Sequence, residues 1–208
     1  MTASPALSLH CWRHPRPLGA EGLCLGRTDL PVDPRRARRL AQRMRALARR
    51  ERLPAVVWTS PLERCRAVGR VLRAAGWVHR VDARLVELDF GTWDGLAWSS
   101  VPRAAIDAWL ADFLHHRPGG GESLAELLAR VRAVLEERPR ALLVTHGGWL
   151  SAAQWLRSSA SAASGSPGSP GASSAPSPPG ASAAPTPSGA PDPAHWPPAP
   201  AWGRLLRL

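Results

Sequence analysis

Four side chains suited to phosphate chemistry stand at or near the ends of apolar runs in this sequence. Arg13 and His14 follow residues 7–12, Arg64 follows residues 55–59 by one short turn, and His146 with Gly147 follows residues 141–145. Arginine's planar fork matches phosphate oxygens, while an imidazole can be a ligand, an acid or base, or a nucleophile. Two arginines and two histidines gathered at one place make a site for a dianion. Cleaving a phosphate ester also needs a group that protonates the leaving oxygen. Residues 86–95, an apolar stretch ending in glycine turns, offer Glu87, Asp89 and Asp94 for that task.

For these groups to meet, the runs that precede them must be neighbouring strands. Each run is continuously apolar and is followed by a helix signal, the pattern of a mainly parallel sheet covered by helices on both faces. In such α/β sheets, sites form in the loops beyond the carboxyl ends of the strands. Residues 34–52 read as a helix with Asp33 as cap and Pro34 at its first position; Ala37, Leu40, Ala41, Met44, Leu47 and Ala48 form its buried face. Ser60-Pro61-Leu62-Glu63 predicts a second helix capped by Ser60, whose N–H groups would face the phosphate. Ser123-Leu124-Ala125-Glu126 repeats the capping box ahead of an apolar stripe, and a further helix is predicted from about Trp149 to Arg157. Residues 77–81 read as a weaker strand and 102–113 as a helix.

Composition narrows the function further. All 27 basic residues are arginine, and without a lysine amine a P-loop NTPase, a Schiff-base enzyme and a PLP enzyme are excluded. Tyrosine is absent too. The net charge of +11 is concentrated in residues 35–52, which hold nine arginines and one acid, so it reads as the solvated face of one helix and not as a nucleic-acid surface. No apolar run approaches the roughly 18 residues of a membrane span, and residues 1–9 lack signal-peptide features. Cys11, Cys24 and Cys65 show no disulfide or zinc spacing; a cytoplasmic setting is expected, with Cys65 in a helix core. His115-His116 lack further ligands at helical spacing, so no metal is expected there. Trp93 and Trp98 are expected to pack rather than to line a pocket.

Residues 158–191 contain only Ser, Ala, Gly, Pro and Thr, with neither charge nor a large apolar side chain, and are expected to be a disordered insertion. The expected organisation is therefore one domain over 1–157, the insertion over 158–191, and residues 192–208 returning to the same domain as a last strand.

Six segments in order carry a resemblance: Trp12-Arg13-His14-Pro15, Gly26-Arg27-Thr28-Asp29-Leu30-Pro31, Ser60-Pro61-Leu62-Glu63-Arg64, Glu87-Leu88-Asp89-Phe90-Gly91, Pro118-Gly119-Gly120-Gly121-Glu122-Ser123 and Thr145-His146-Gly147-Gly148. Their order and spacing over residues 8–157 are similar to those of the histidine phosphatase superfamily, the phosphoglycerate-mutase-like fold. The resemblance implies a three-layer sandwich and a phosphomonoesterase that works through a phosphohistidine on a small phosphorylated metabolite, without cofactor or metal, nucleic acid or membrane. It assigns His14 as nucleophile, Glu87 as acid, Arg13, Arg64 and His146 as the phosphate pocket, and Arg27 and Gly147 as further substrate contacts. Asp89 is the alternative acid. Pro15 stands where the family commonly has glycine, which removes one backbone donor; Arg16 next to it either compensates or points to solvent. The 13–15 and 26–31 segments resemble the alpha-ribazole phosphatase branch. Within the fold a phosphoglycerate mutase or a broad-specificity phosphatase is the alternative, and outside it a non-catalytic phospho-ligand scaffold. Oligomeric state is left open by the sequence.

Overall fold

The apolar runs pair into one five-stranded sheet in the computed structural model, which describes residues 9–138, 141–164 and 189–208. β1 (His10–Arg13), β2 (Val56–Thr59), β3 (Val78–Val81) and β4 (Leu142–Thr145) are parallel, in the order β3-β2-β4-β1. β5 (Leu205–Arg207) pairs antiparallel with β1, Cys11 opposite Leu206. Because β4 sits between β1 and β2, the carboxyl ends of three strands emerge side by side: Arg13 pairs with Thr145, and Thr59 with Val144.

Side chains alternate across the strands, and each sheet face is covered by helices, giving the α/β sandwich. On one face Trp12, Val57, Leu142 and Val144 pack against α1 (Pro34–Arg50) and α2 (Glu63–Ala74). The opposite face, with Cys11 and Leu143, packs against α4 (Leu124–Glu137) and α5 (Gly147–Ser164). α3 (Arg103–Ala111) lies over a smaller cluster of Cys24, Trp93 and Val101. The buried face of α1 is the one its spacing predicts, from Ala37 to Ala48, and Asp33 accepts from the Arg35 N–H at 2.8 Å. Both halves of the Ser123–Glu126 capping box form.

Several helix boundaries differ from the sequence reading, with α1 ending at Arg50 and α3 spanning Arg103–Ala111, and two of the differences bear on the site. α2 begins at Glu63, not beside Ser60, and Leu62 occupies its cap position without a side-chain bond. The Glu63 N–H is taken by the carboxylate of Asp29, from a loop 34 residues upstream, at 2.7 and 2.9 Å. That leaves the Ser60 hydroxyl free to accept from the Leu62 N–H and to reach the site. α5 starts directly after His146 and continues to Ser164, seven residues into the stretch expected to be disordered. Alanine is the best helix former and serine is tolerated, so the backbone there can run on as helix. Residues 165–188 of that insertion and the N-terminal residues 1–8 lie outside the described residues. Among the described residues no helix is long and apolar enough to cross a membrane.

Candidate active site

His14 follows the last residue of β1, and its backbone N–H donates to Thr145 at 3.0 Å, extending the ladder with β4 by one bond. The ring is 2% exposed. Its Nδ1 lies 2.8 Å from the Pro15 carbonyl oxygen. A carbonyl only accepts, so Nδ1 carries the proton and Nε2 presents a bare lone pair. Burial, and then the positive charges of Arg64 and Arg13, hold the imidazole pKa well below 6.5. The ring is therefore neutral at ordinary pH, the state a nucleophile needs. Pro15 thus supplies the acceptor that fixes the tautomer, a role that does not use the missing N–H.

His146 lies at the end of β4, fully buried, with its ring centroid 4.9 Å from that of His14. Its Nδ1 accepts from Arg64 Nε at 3.2 Å, so Nε2 carries the proton and donates to the Ser60 hydroxyl at 2.8 Å. Burial comes first in lowering its pKa well below 6.5, followed by the closeness of the His14 ring, which disfavours protonating both, and by the charge of Arg64. The Cys65 thiol sits in the α2 core, 3.5 Å from the same Nε2; burial raises its pKa. Arg64 is 1% exposed in the first turn of α2. It donates to the carbonyls of Thr28 and Gly26, both at 2.6 Å, as well as to His146. Three of its five N–H groups are spent, and two remain for a ligand.

Arg13 is held differently. One terminal nitrogen donates to the Pro200 carbonyl at 2.8 Å, and the guanidinium lies 3.5 Å from the centroid of the Trp202 ring. Its Nε is buried without a partner, an unsatisfied donor of the kind that an anion would engage. Burial lowers its pKa, against the raising effect of Glu87. Trp202 also packs at 4.9 Å on His14, and the Gly203 N–H donates to the carbonyls of Arg13 and His14. Residues 199–203, from the far side of the low-complexity stretch, therefore form one wall of the site. Gly147 belongs to the same wall: a Cβ there would meet the Arg13 guanidinium and Ala199 at 3.0 Å.

Glu87 is 8% exposed and lies at the N-terminus of α5. Oε2 accepts from the Gly148 N–H at 3.0 Å, and Oε1 from those of Trp149 and Leu88 at 3.2 and 3.1 Å. A Cβ on Gly148 would stand 2.6 Å from Oε1, so only glycine admits the carboxylate there. Asp89, the alternative acid, does not join it. Residues 86–90 form no strand, so the two-residue alternation that would align Asp89 with Glu87 is lost. Asp89 accepts from the Gly91 N–H and lies 3.6 Å from Arg27. Arg27 itself is exposed, with that carboxylate as its ion-pair partner. Arg16 points to solvent beside Glu21 at 3.2 Å. Trp93 packs on Trp109, and Trp98 on Phe90. His115 is exposed and His116 half-buried. Among the described residues no group of three His, Cys, Asp or Glu side chains could hold a metal ion.

Three supporting roles were not read from the sequence. Arg130 of α4 donates to the carbonyls of Arg84, Val86 and Glu87 and to both oxygens of Glu122, and so fixes the segment that carries Glu87. Asp94 receives the N–H groups of Gly26, Arg27 and Thr28 and shapes the loop that holds Arg64. Trp202, against Arg13 and His14, is the third. The sequence hints only at Arg130, a charge on the edge of an apolar stripe.

A family model described as the histidine phosphatase superfamily (branch 1) matches residues 9–165. Among solved structures, TTHB049 from Thermus thermophilus is 32% identical over 74% of this chain and 85% of that one, with a TM-score of 0.58. A phosphoglycerate mutase from the same organism is 33% identical over 73% of this chain and 84% of its own, with a TM-score of 0.57. A mycobacterial glucosyl-3-phosphoglycerate phosphatase is 26% identical over 72% and 78%, with a TM-score of 0.59. A search of curated protein sequences finds no significant match.

Proposed function

Since the chain belongs to the histidine phosphatase superfamily, we propose that this phosphatase hydrolyses a small phosphomonoester through a phosphohistidine on His14. The observation that carries the reading is the pairing of a neutral, tautomer-fixed His14 with unspent donors on Arg13 and Arg64. In the first step His14 Nε2 forms a bond to phosphorus while the ester P–O bond breaks, and Glu87 gives its proton to the leaving oxygen. In the second, Glu87 takes a proton from water as that water attacks the phosphohistidine and releases phosphate. The transferring group is anionic and loosely bonded, so it gains most from cations already in place. Arg13 and Arg64 are those cations; His146, a neutral ring, lies against His14 and anchors Arg64 through Nδ1. Arg27 and Gly147 bound the substrate side, Gly147 by leaving room for the Arg13 fork.

Glu87→Gln tests the acid. Turnover of alkyl phosphates should fall by about 10²–10⁴, and that of p-nitrophenyl phosphate much less, because nitrophenolate leaves without a proton. Equal losses on both substrates would reduce Glu87 to a cap on α5. The pH profile tests the nucleophile. A low imidazole pKa keeps His14 unprotonated through the range where a free histidine charges, so its phosphorylation rate should stay level as pH falls through 6.5. A half-loss centred at 6.5 would contradict the buried, arginine-flanked ring. The substrate panel should include alpha-ribazole 5′-phosphate, to which the 13–15 and 26–31 segments point by resemblance. Phosphate release, against return of the group to a second hydroxyl, separates a phosphatase from a mutase.

A further inference from the structure

The arginine face of α1 is open to solvent, but it is not only a surface. A cavity of about 800 Å³ lies between that helix and the 202–203 segment. Arg16, Arg36, Arg39 and Arg43 line it, together with Pro15 and Trp202. No Asp or Glu lines it, and among the described residues neither Arg36, Arg39 nor Arg43 has a carboxylate partner; Arg43 is held by the Gly203 carbonyl at 2.9 Å. Arg16 alone pairs with an acid, the exposed Glu21. At helical rise, positions 36 to 43 span about 10 Å, so three guanidiniums stand in a short row. Like charges at this spacing repel one another, and an anion between them relieves the repulsion.

The position of the groove matters as much as its charge. Pro15 accepts from His14, and Trp202 packs on His14; both are also groove walls. Trp202 is 37% exposed, a flat surface between the nucleophile and the arginine row. A second cavity of about 450 Å³ continues along α1 and adds Arg50 and Arg204.

From this geometry, and resting on the phosphatase reading above, we infer that the arginine groove of α1 is a specificity subsite: it binds a second anionic group of the substrate while the scissile phosphate lies at His14 and the organic spacer crosses Trp202. The substrate class is thus a phosphomonoester that carries a further phosphate or carboxylate. Arg36 and Arg39 select it without touching the reacting atoms.

The test compares kcat/KM for fructose 1,6-bisphosphate and fructose 6-phosphate, with p-nitrophenyl phosphate as reference. The native enzyme should prefer the bisphosphate by about tenfold or more, and the preference should shrink as salt rises. Arg36→Ala/Arg39→Ala should bring the ratio near unity and leave p-nitrophenyl phosphate turnover unchanged. Both positions are exposed, so folding is not at risk. A ratio near unity in the native enzyme, or one that the double variant leaves intact, overturns the subsite while the phosphatase reading stands. Failure to turn over any of the three esters overturns that reading and takes the subsite with it.

Discussion

His14→Ala should lower kcat by about 10⁴-fold or more and remove all acid-labile, base-stable phosphoryl label from the protein. The size follows from the proposed chemistry: without Nε2 no covalent intermediate forms, and neither His146 nitrogen replaces it. His146 Nδ1 is committed to Arg64 and Nε2 to Ser60. Phosphate binding should survive, since Arg13 and Arg64 keep their unspent donors. Inorganic phosphate should therefore protect the variant against heat nearly as well as it protects the native protein. His14 is buried and packed on Trp202, so thermal melting must accompany the assay to show that the fold persists. Label on another residue of the native enzyme, or substantial turnover in a folded variant, would remove His14 from its role.

Cutting the chain before residue 192 should be the most damaging change to stability. It removes Trp196, Leu205, Leu206 and Leu208, which pack on the two cores, and it strips β5 from β1. At about 1–2 kcal/mol for each of these partly buried side chains, the loss approaches the roughly 5–15 kcal/mol that holds a domain together. The site loses the Trp202 and Pro200 contacts to Arg13 as well. Replacing residues 165–188 with a Gly/Ser linker about half as long should leave melting and activity nearly unchanged, because loop closure varies by only about 0.6 kcal/mol per doubling of length. Chemical denaturation of both variants checks this pair. A stable truncation with a damaged linker variant would mean that residues 165–188, and not 192–208, support the fold.

What the sequence disclosed was governed by how local each signal is. The buried face of α1 and the Ser123 capping box depend on residues within one or two turns, and both read correctly. The start of α2 did not, because Asp29 competes from 34 residues away for the N–H that Ser60 was expected to govern. Among the site groups, Arg13, His14, Arg64 and His146 were legible as charged or imidazole residues at strand ends. The setting of Glu87 was not: its acceptors are filled from the start of α5, about sixty residues on, and its segment is steadied by Arg130. Residues 86–95 have no periodicity from which to read orientation. The roles of Asp94 and Trp202 were hidden for the same reason, since each acts on a loop distant in sequence.

The antiparallel pairing of β1 with β5 has a consequence for biosynthesis. The strand that leads into His14 is made long before β5, and one of its two hydrogen-bonding edges stays open until residues 205–207 have been translated. Until then β1 can pair with β4 on one side only, and its other side is a free template for strands of other chains. A ribosome that stalls within residues 165–188 would release a nascent chain with nearly every helix formed and this edge exposed. Such chains should be prone to aggregate and be prime clients for chaperones, and the nucleophile's wall would close only when the last segment docks.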